Sequence, residues 1–394
     1  MTPPTILTAG FRVFFLAAAF YAIAAMAVWL GWIGVNAAGG APARMPFDAA
    51  PPLWHAHEMI YGFAAAAIAG FLLTAVPNWT GAPAAGPAVV TAAAGLWLAG
   101  RVAVFFSTAI PAWAVAAVDL AFLPVLAAIA LAQLARKPKP ANLMVVAMLG
   151  LLWSGDLLVH LDWAGTPAGD AERGLRAGLL TIAALIAIIG GRVTPAFTRN
   201  ALVPEPVPAT PGPLNALTIA AAIALPILTL ADAPAAVIGV TALIAALAQS
   251  LRLARWRGLR TLDRPILWSL HLPGAMLALG WFALGLSAFG AFDGIAALHL
   301  IGIGAIGGMI LTMMGRASLG HSGRPLVFGP GLAIACALIP ASALLRAVGS
   351  YQDIGLYYAT AIAAGVLWCA AFGVFAACLW MPLTTPRVRP DPVN

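Results

Sequence analysis

Six histidines are the residues in this 394-residue chain best suited to chemistry. His55 and His57 stand two apart in Trp54-His55-Ala56-His57-Glu58. His160 closes Gly155-Asp156-Leu157-Leu158-Val159-His160, and His299, His271 and His321 follow in the C-terminal half. Neutral imidazole is the commonest protein ligand for haem iron and copper, and a ligating ring usually passes its other N–H to a carboxylate or carbonyl. Carboxylates stand close in sequence: Asp156 precedes His160 by four residues, which places both on one helical face, and Glu58 adjoins His57. His55 and His57 would point to opposite sides of a regular helix, so they serve different centres, or His55 lies in the entry turn. Taken singly, a histidine at a helix end is more often an interfacial residue satisfied by water, and that reading applies first to His55. Arg101, within an apolar run, needs a carboxylate; Asp119 or Asp156 is the nearer candidate, a haem propionate the other.

The elements that must hold these residues are membrane helices. The chain is 62% hydrophobic and only 8% charged, too little charge to cover a soluble globule, for which about 25% is usual. Apolar runs of about 20 residues, long enough to cross the hydrocarbon core, fall near 11–34, 55–77, 88–106, 110–134, 142–162, 174–195, 214–231, 234–251, 266–289, 294–314, 329–346 and 354–381. The expectation is an all-α polytopic membrane protein of about twelve helices in one integral domain, 1–394. The first run, after an uncharged Met1–Gly10, is too long for a signal-peptide core and reads as a retained span. Trp54, Trp79, Trp163 and Trp380 fall at predicted ends, as an aromatic belt does.

The net charge of +7 is a topology signal. No basic stripe suited to nucleic acid is present. With the amino terminus cytoplasmic, fifteen cations, from Arg12 to Arg389, fall on one side; four, Arg44, Arg173, Arg176 and Arg346, fall on the other, and Arg101 alone lies inside a span. The positive-inside rule then places both termini in the cytoplasm and His55, His57, His160 and His299 in one outer layer. His271 and His321, the latter in a predicted loop, lie on the cytoplasmic side. Cys336, Cys369 and Cys378 sit in apolar runs without metal-ligand spacing and read as small buried hydrophobes.

An internal echo, A-I-x-G-x-x-x-T, recurs on the second, sixth and tenth helices, with its glycines Gly70, Gly190 and Gly308 at steps of 120 and 118 residues. It predicts three four-helix units, 11–134, 142–251 and 266–381, in a pseudo-threefold arrangement. The small residues after His57 and His299 suit close helix packing, and equally a slot for a flat macrocycle.

The segments Trp54-His55-Ala56-His57-Glu58-Met59, Gly70-Phe71-Leu72-Leu73-Thr74-Ala75-Val76-Pro77-Asn78-Trp79-Thr80-Gly81, Gly155-Asp156-Leu157 with His160, Gly190-Gly191-Arg192-Val193-Thr194-Pro195 and Gly315-Arg316-Ala317-Ser318-Leu319-Gly320-His321 resemble the NnrS family over nearly the whole chain. The resemblance implies a bacterial inner-membrane protein that binds haem, of b-type, and copper, with nitric oxide or a nitrosyl species as ligand and a part in nitric oxide metabolism or the nitrosative stress response. It implies no particular reaction and no electron donor. On that basis His57 and His299 are expected as axial haem ligands on facing helices, His55 and His160 as further haem or copper ligands, and Asp156 and Glu58 as groups orienting the rings. The twelve-helix pattern is also similar to that of haem-copper oxidase catalytic subunits, including nitric oxide reductases, but the sixth and seventh helices lack histidine, so a standard binuclear centre is not expected. Two other classes fit the sequence: a secondary transporter built around the deep acid Asp119, and a haem or copper delivery and assembly factor.

Overall fold

The computed structural model describes residues 4–41, 44–351 and 356–388; Met1 and Arg389 lie outside them. Twelve helices are long and apolar enough to cross a membrane. In chain order they are α1 (Gly10–Ala37), α2 (Pro51–Thr80), α3 (Pro87–Phe105), α4 (Ala112–Leu134), α5 (Asn142–Trp163), α6 (Ala171–Ala201), α7 (Gly212–Leu230), α8 (Ala235–Arg255), α9 (Pro265–Ser287), α10 (Gly294–His321), α11 (Pro330–Gly349) and α12 (Tyr357–Thr384). No strand occurs among the described residues. The chain is therefore an all-α, multi-pass membrane protein: in hydrocarbon every backbone polar group must be satisfied within the protein, and helices do this segment by segment.

Several helices run past the apolar stretches that announced them, because their ends are capped by polar and special residues. Proline stands at the first positions of α2, where its missing N–H costs nothing. Gly81 ends that helix in the left-handed region at φ 70°. Asp170 caps α6 by accepting from the Arg173 backbone N–H at 2.9 Å. α10 continues to His321, so this residue closes a helix and does not lie in the loop expected from sequence.

The helices are not equally deep. About 72% of the apolar window of α2, α6 and α9 and 67% of that of α10 is buried, against 33–44% for the rest, so these four form the interior and the others wrap it. The close approach of α5 and α6 rests on glycine. A Cβ at Gly155 would stand 2.7 Å from the Gly174 carbonyl oxygen, and one at Gly174 would stand 2.4 Å from that of Gly155. Small residues let transmembrane backbones meet where larger ones would hold them apart.

Three departures from regular helix geometry fall beside the candidate residues. α2 changes to a π-helical segment at Glu58–Ala64, directly after His57. α10 does the same at Leu300–Gly307, directly after His299. Such widened turns occur often at functional sites. The third is in α4, which is broken at Ala121, two residues after Asp119. Pro124 has no N–H to give the carbonyl of Leu120, and the Trp153 indole N–H of α5 donates to that carbonyl instead, at 3.0 Å. Trp153→Phe leaves the carbonyl without this partner and is expected to cost about 1 kcal/mol. Equilibrium unfolding in detergent micelles checks this; an unchanged stability would mean that the bond contributes nothing.

Candidate metal centre

α2, α4 and α5 bring four side chains to one point. His57, Asp119, Asp156 and His160 each offer one ligand atom, and these atoms lie within 4.8 Å of one another. All four residues are at most 3% exposed. The geometry is a closed box. His57 Nε2 lies 3.3 Å from Asp119 Oδ2 and 3.1 Å from Asp156 Oδ1. His160 Nε2 lies 2.9 Å from Asp119 Oδ2 and 3.8 Å from Asp156 Oδ1.

The local reasons are readable. Asp156 and His160 are four apart on α5, so both face inward. Asp119 comes from the turn before the α4 break. His57 comes from the last regular turn of α2, before the backbone widens.

The surroundings fix the rings. His57 Nδ1 lies 2.8 Å from Glu58 Oε1. Arg101 Nη1 donates to both Glu58 oxygens at 2.8 Å, and its Nη2 donates to Asp119 Oδ1. The Tyr21 hydroxyl of α1 donates to Glu58 Oε2. Trp163 covers the box, its ring 4.9 Å from that of His57 and 5.4 Å from that of His160. Tyr61 lies against His57 at 5.0 Å and donates to the Gly174 carbonyl at 3.1 Å, which ties the box to the α5–α6 contact.

The arrangement carries its own electrostatic demand. Glu58, Asp119 and Asp156 set three carboxylates against the single guanidinium of Arg101, a formal charge of −2 with neutral imidazoles. With its Nδ1–H given to Glu58, a neutral His57 turns an Nε2 lone pair toward two carboxylate oxygens, acceptor against acceptor. Charge buried in a low-dielectric interior without compensation is strongly unfavourable. A divalent cation in the box removes both problems. Its dimensions suit one: a tetrahedral ion with bonds of about 2.0–2.2 Å holds its ligand atoms about 3.3–3.6 Å apart, within the spread of the four edges.

A family model, NnrS protein, matches residues 5–387. The chain belongs to the NnrS family. No curated protein matches it. This NnrS-family chain joins His57 to His160 and Asp156, whereas the expectation from sequence sets His57 with His299 and His160 with His55 and gives Asp156 only the orienting of a ring; Glu58 lies beside His57. Arg101 pairs inside the protein, with Glu58 and Asp119. Asp119, which the sequence offers only as a partner for Arg101 or a transporter acid, is instead a full member of the box; the one clue was an acid in an otherwise apolar helix. Tyr21 gave no signal, since its neighbour Glu58 is 37 residues away.

His55 and His299 lie elsewhere. No hydrogen bond, ion pair or ring contact joins His57 to His299 among the described residues. His55 instead stacks on Trp29, at 4.7 Å and 13°, and its Nδ1 is buried with no partner. It interacts electrostatically with His299 and Arg346. His299 Nδ1 lies 2.7 Å from the Ile295 carbonyl, which assigns the proton to Nδ1 and leaves Nε2 as a lone pair. Arg346 rests over the Tyr357 ring at 5.1 Å. This NnrS chain thus divides four of its histidines into a pair among carboxylates, His57 and His160, and a pair near a guanidinium, His55 and His299. His271 belongs to neither, with Nε2 2.9 Å from Thr198 Oγ1.

Proposed function

We propose that this protein is a metal- and haem-binding inner-membrane protein of nitric oxide metabolism or the nitrosative stress response, with both termini in the cytoplasm. The observation that supports it most is the buried box of two imidazoles and two carboxylates. The donor set holds no sulfur, so it suits a borderline divalent ion, copper(II) among them, and not soft copper(I). His57, Asp119, Asp156 and His160 would hold the ion. Glu58, held by Arg101 and Tyr21, would orient the His57 ring, as carboxylates behind ligating histidines do.

A macrocycle does not fit in the box, where Nε2 of both histidines already faces carboxylates. The second pair offers donors that the box does not. His55 and His299 each keep a ring nitrogen free, and Arg346 offers a cation to a propionate. When bound there, haem supplies a one-electron centre whose surroundings govern small-ligand binding. The residues' own part is to fix ring orientation and exclude water. Nitric oxide is small, apolar and membrane-soluble, so it needs no polar channel, which agrees with the scarcity of charge.

Metal analysis with visible spectroscopy tests the two centres separately. Full-length protein is expected to carry about one divalent ion per chain and a Soret band. His57→Gln/His160→Gln should lose the ion and keep the band, and His55→Ala/His299→Ala the reverse. Protein that folds, binds no divalent ion under titration and shows no Soret band overturns the reading and leaves imidazolium as the neutralising charge, the arrangement a proton-coupled transporter would use.

A further inference from the structure

A second feature lies farther along α2. Beneath the box, α2, α6 and α10 leave a cavity of about 80 Å³ between them, with α1 and α5 completing the wall. It begins at Ala67, ten residues beyond His57 and past the π-helical segment of α2. Ile68 and Phe71 of α2, Ile186 and Gly190 of α6, and Met309 and Met313 of α10 line it. None of its lining side chains is charged or carries a hydroxyl, amide or imidazole.

The chemistry of the wall selects the occupant. A water needs two to four polar partners, and an apolar cavity without them stays dry and takes up apolar molecules such as xenon. The volume is about half that of an engineered apolar cavity of about 150 Å³ that takes up benzene, too small for a ring cofactor. The space is maintained by residue choice: a Cβ at Gly190 would stand 3.1 Å from the Met309 methyl carbon. The flexible, polarizable thioethers of Met309, Met313 and Met314 allow the wall to adjust to its contents. The partly exposed Ile68, Phe71, Ile189 and Met313 give it an apolar mouth.

We infer that this cavity is a binding pocket for a small neutral apolar molecule of two or three heavy atoms, of the class of dissolved diatomic gases. It stands on the cavity alone and does not depend on what occupies the histidine box. The test uses full-length protein in nanodiscs with 13C-methyl methionine, titrated with xenon. The methyl resonances of the lining residues Met309, Met313 and Met314 should shift in a saturable way while those of Met26 and Met45 do not. Ile186→Phe and Gly190→Ala, two independent ways of filling the space, should each weaken the response by about tenfold or more, a difference of about 1.4 kcal/mol. Nitric oxide, a radical, should broaden the same three resonances, and prior xenon saturation should reduce that broadening. A shift that is linear in pressure and shared by all methionines is xenon in lipid and overturns the proposal. So does a response that survives in both filled variants, or one that follows acyl-chain length in place of gas pressure.

Discussion

Arg101→Met is expected to destabilise the protein by about 3–5 kcal/mol, the cost of removing one partner from a buried charge pair. Arg101 is 4% exposed and is, among the described residues, the guanidinium bonded to Glu58 and Asp119, which are themselves at most 3% exposed. Methionine fills the volume without the charge, so three carboxylates then stand together with only imidazoles for compensation. The excess negative charge should draw a divalent cation more strongly at first. Loss of the bonds that orient Glu58, and through it His57, works against this, since removing a group that supports a ligand costs 10- to 100-fold in metal affinity in comparable sites. The double variant Arg101→Met/Glu58→Gln removes the cation together with one anion and should recover part of the stability. Reversible unfolding in bicelles, with and without a chelator, separates these effects. A loss below about 1 kcal/mol for the single variant, the level of a solvent-exposed pair, would show that water reaches the cluster and that the site is not dry.

Gly174→Leu acts on the same site from a distance. The Gly174 position lets α6 approach α5 so closely that a Cβ would stand 2.4 Å from the Gly155 carbonyl oxygen and 2.9 Å from Val159 Cγ2. Both obstacles flank Asp156 and His160 on α5. A leucine must push α5 outward, and overpacking of this kind costs about 1–3 kcal/mol where the structure can yield and more where backbone is the obstacle. The expected result is a protein that is poorly stable and, when kept folded at low temperature, has lost its divalent ion, because Asp156 and His160 move with α5 while His57 stays with α2. Gly150, with nothing within 4 Å of its Cβ position, provides the control: Gly150→Leu on the same helix should keep both ion and stability. Equal losses in the two variants would mean that helix propensity or insertion, and not the α5–α6 approach, is what the substitution disturbs.

Much of this architecture follows from local physics. The number of spans, the membrane class and the pairing of Asp156 with His160 depend on hydropathy and on the helical period, both of which act over a few residues. So does the separation of His55 from His57, whose spacing turns the rings to different sides of α2. Residue order alone could not select among distant partners. Asp119 joins His57 and His160 only because α4, broken ahead of Pro124, packs its end against α5. His57 and His299, alike in standing directly before a π-helical segment, sit in different surroundings, one among carboxylates and the other beside Arg346 and His55. A residue inserted by a widened turn rotates the downstream side chains by about 100° relative to a regular 3.6-residue helix, so a face extrapolated from helical spacing is lost across it. Which helices meet is decided by contacts such as Gly155 with Gly174. Their partners are distant in the chain, and their energy exists only once the bundle is assembled.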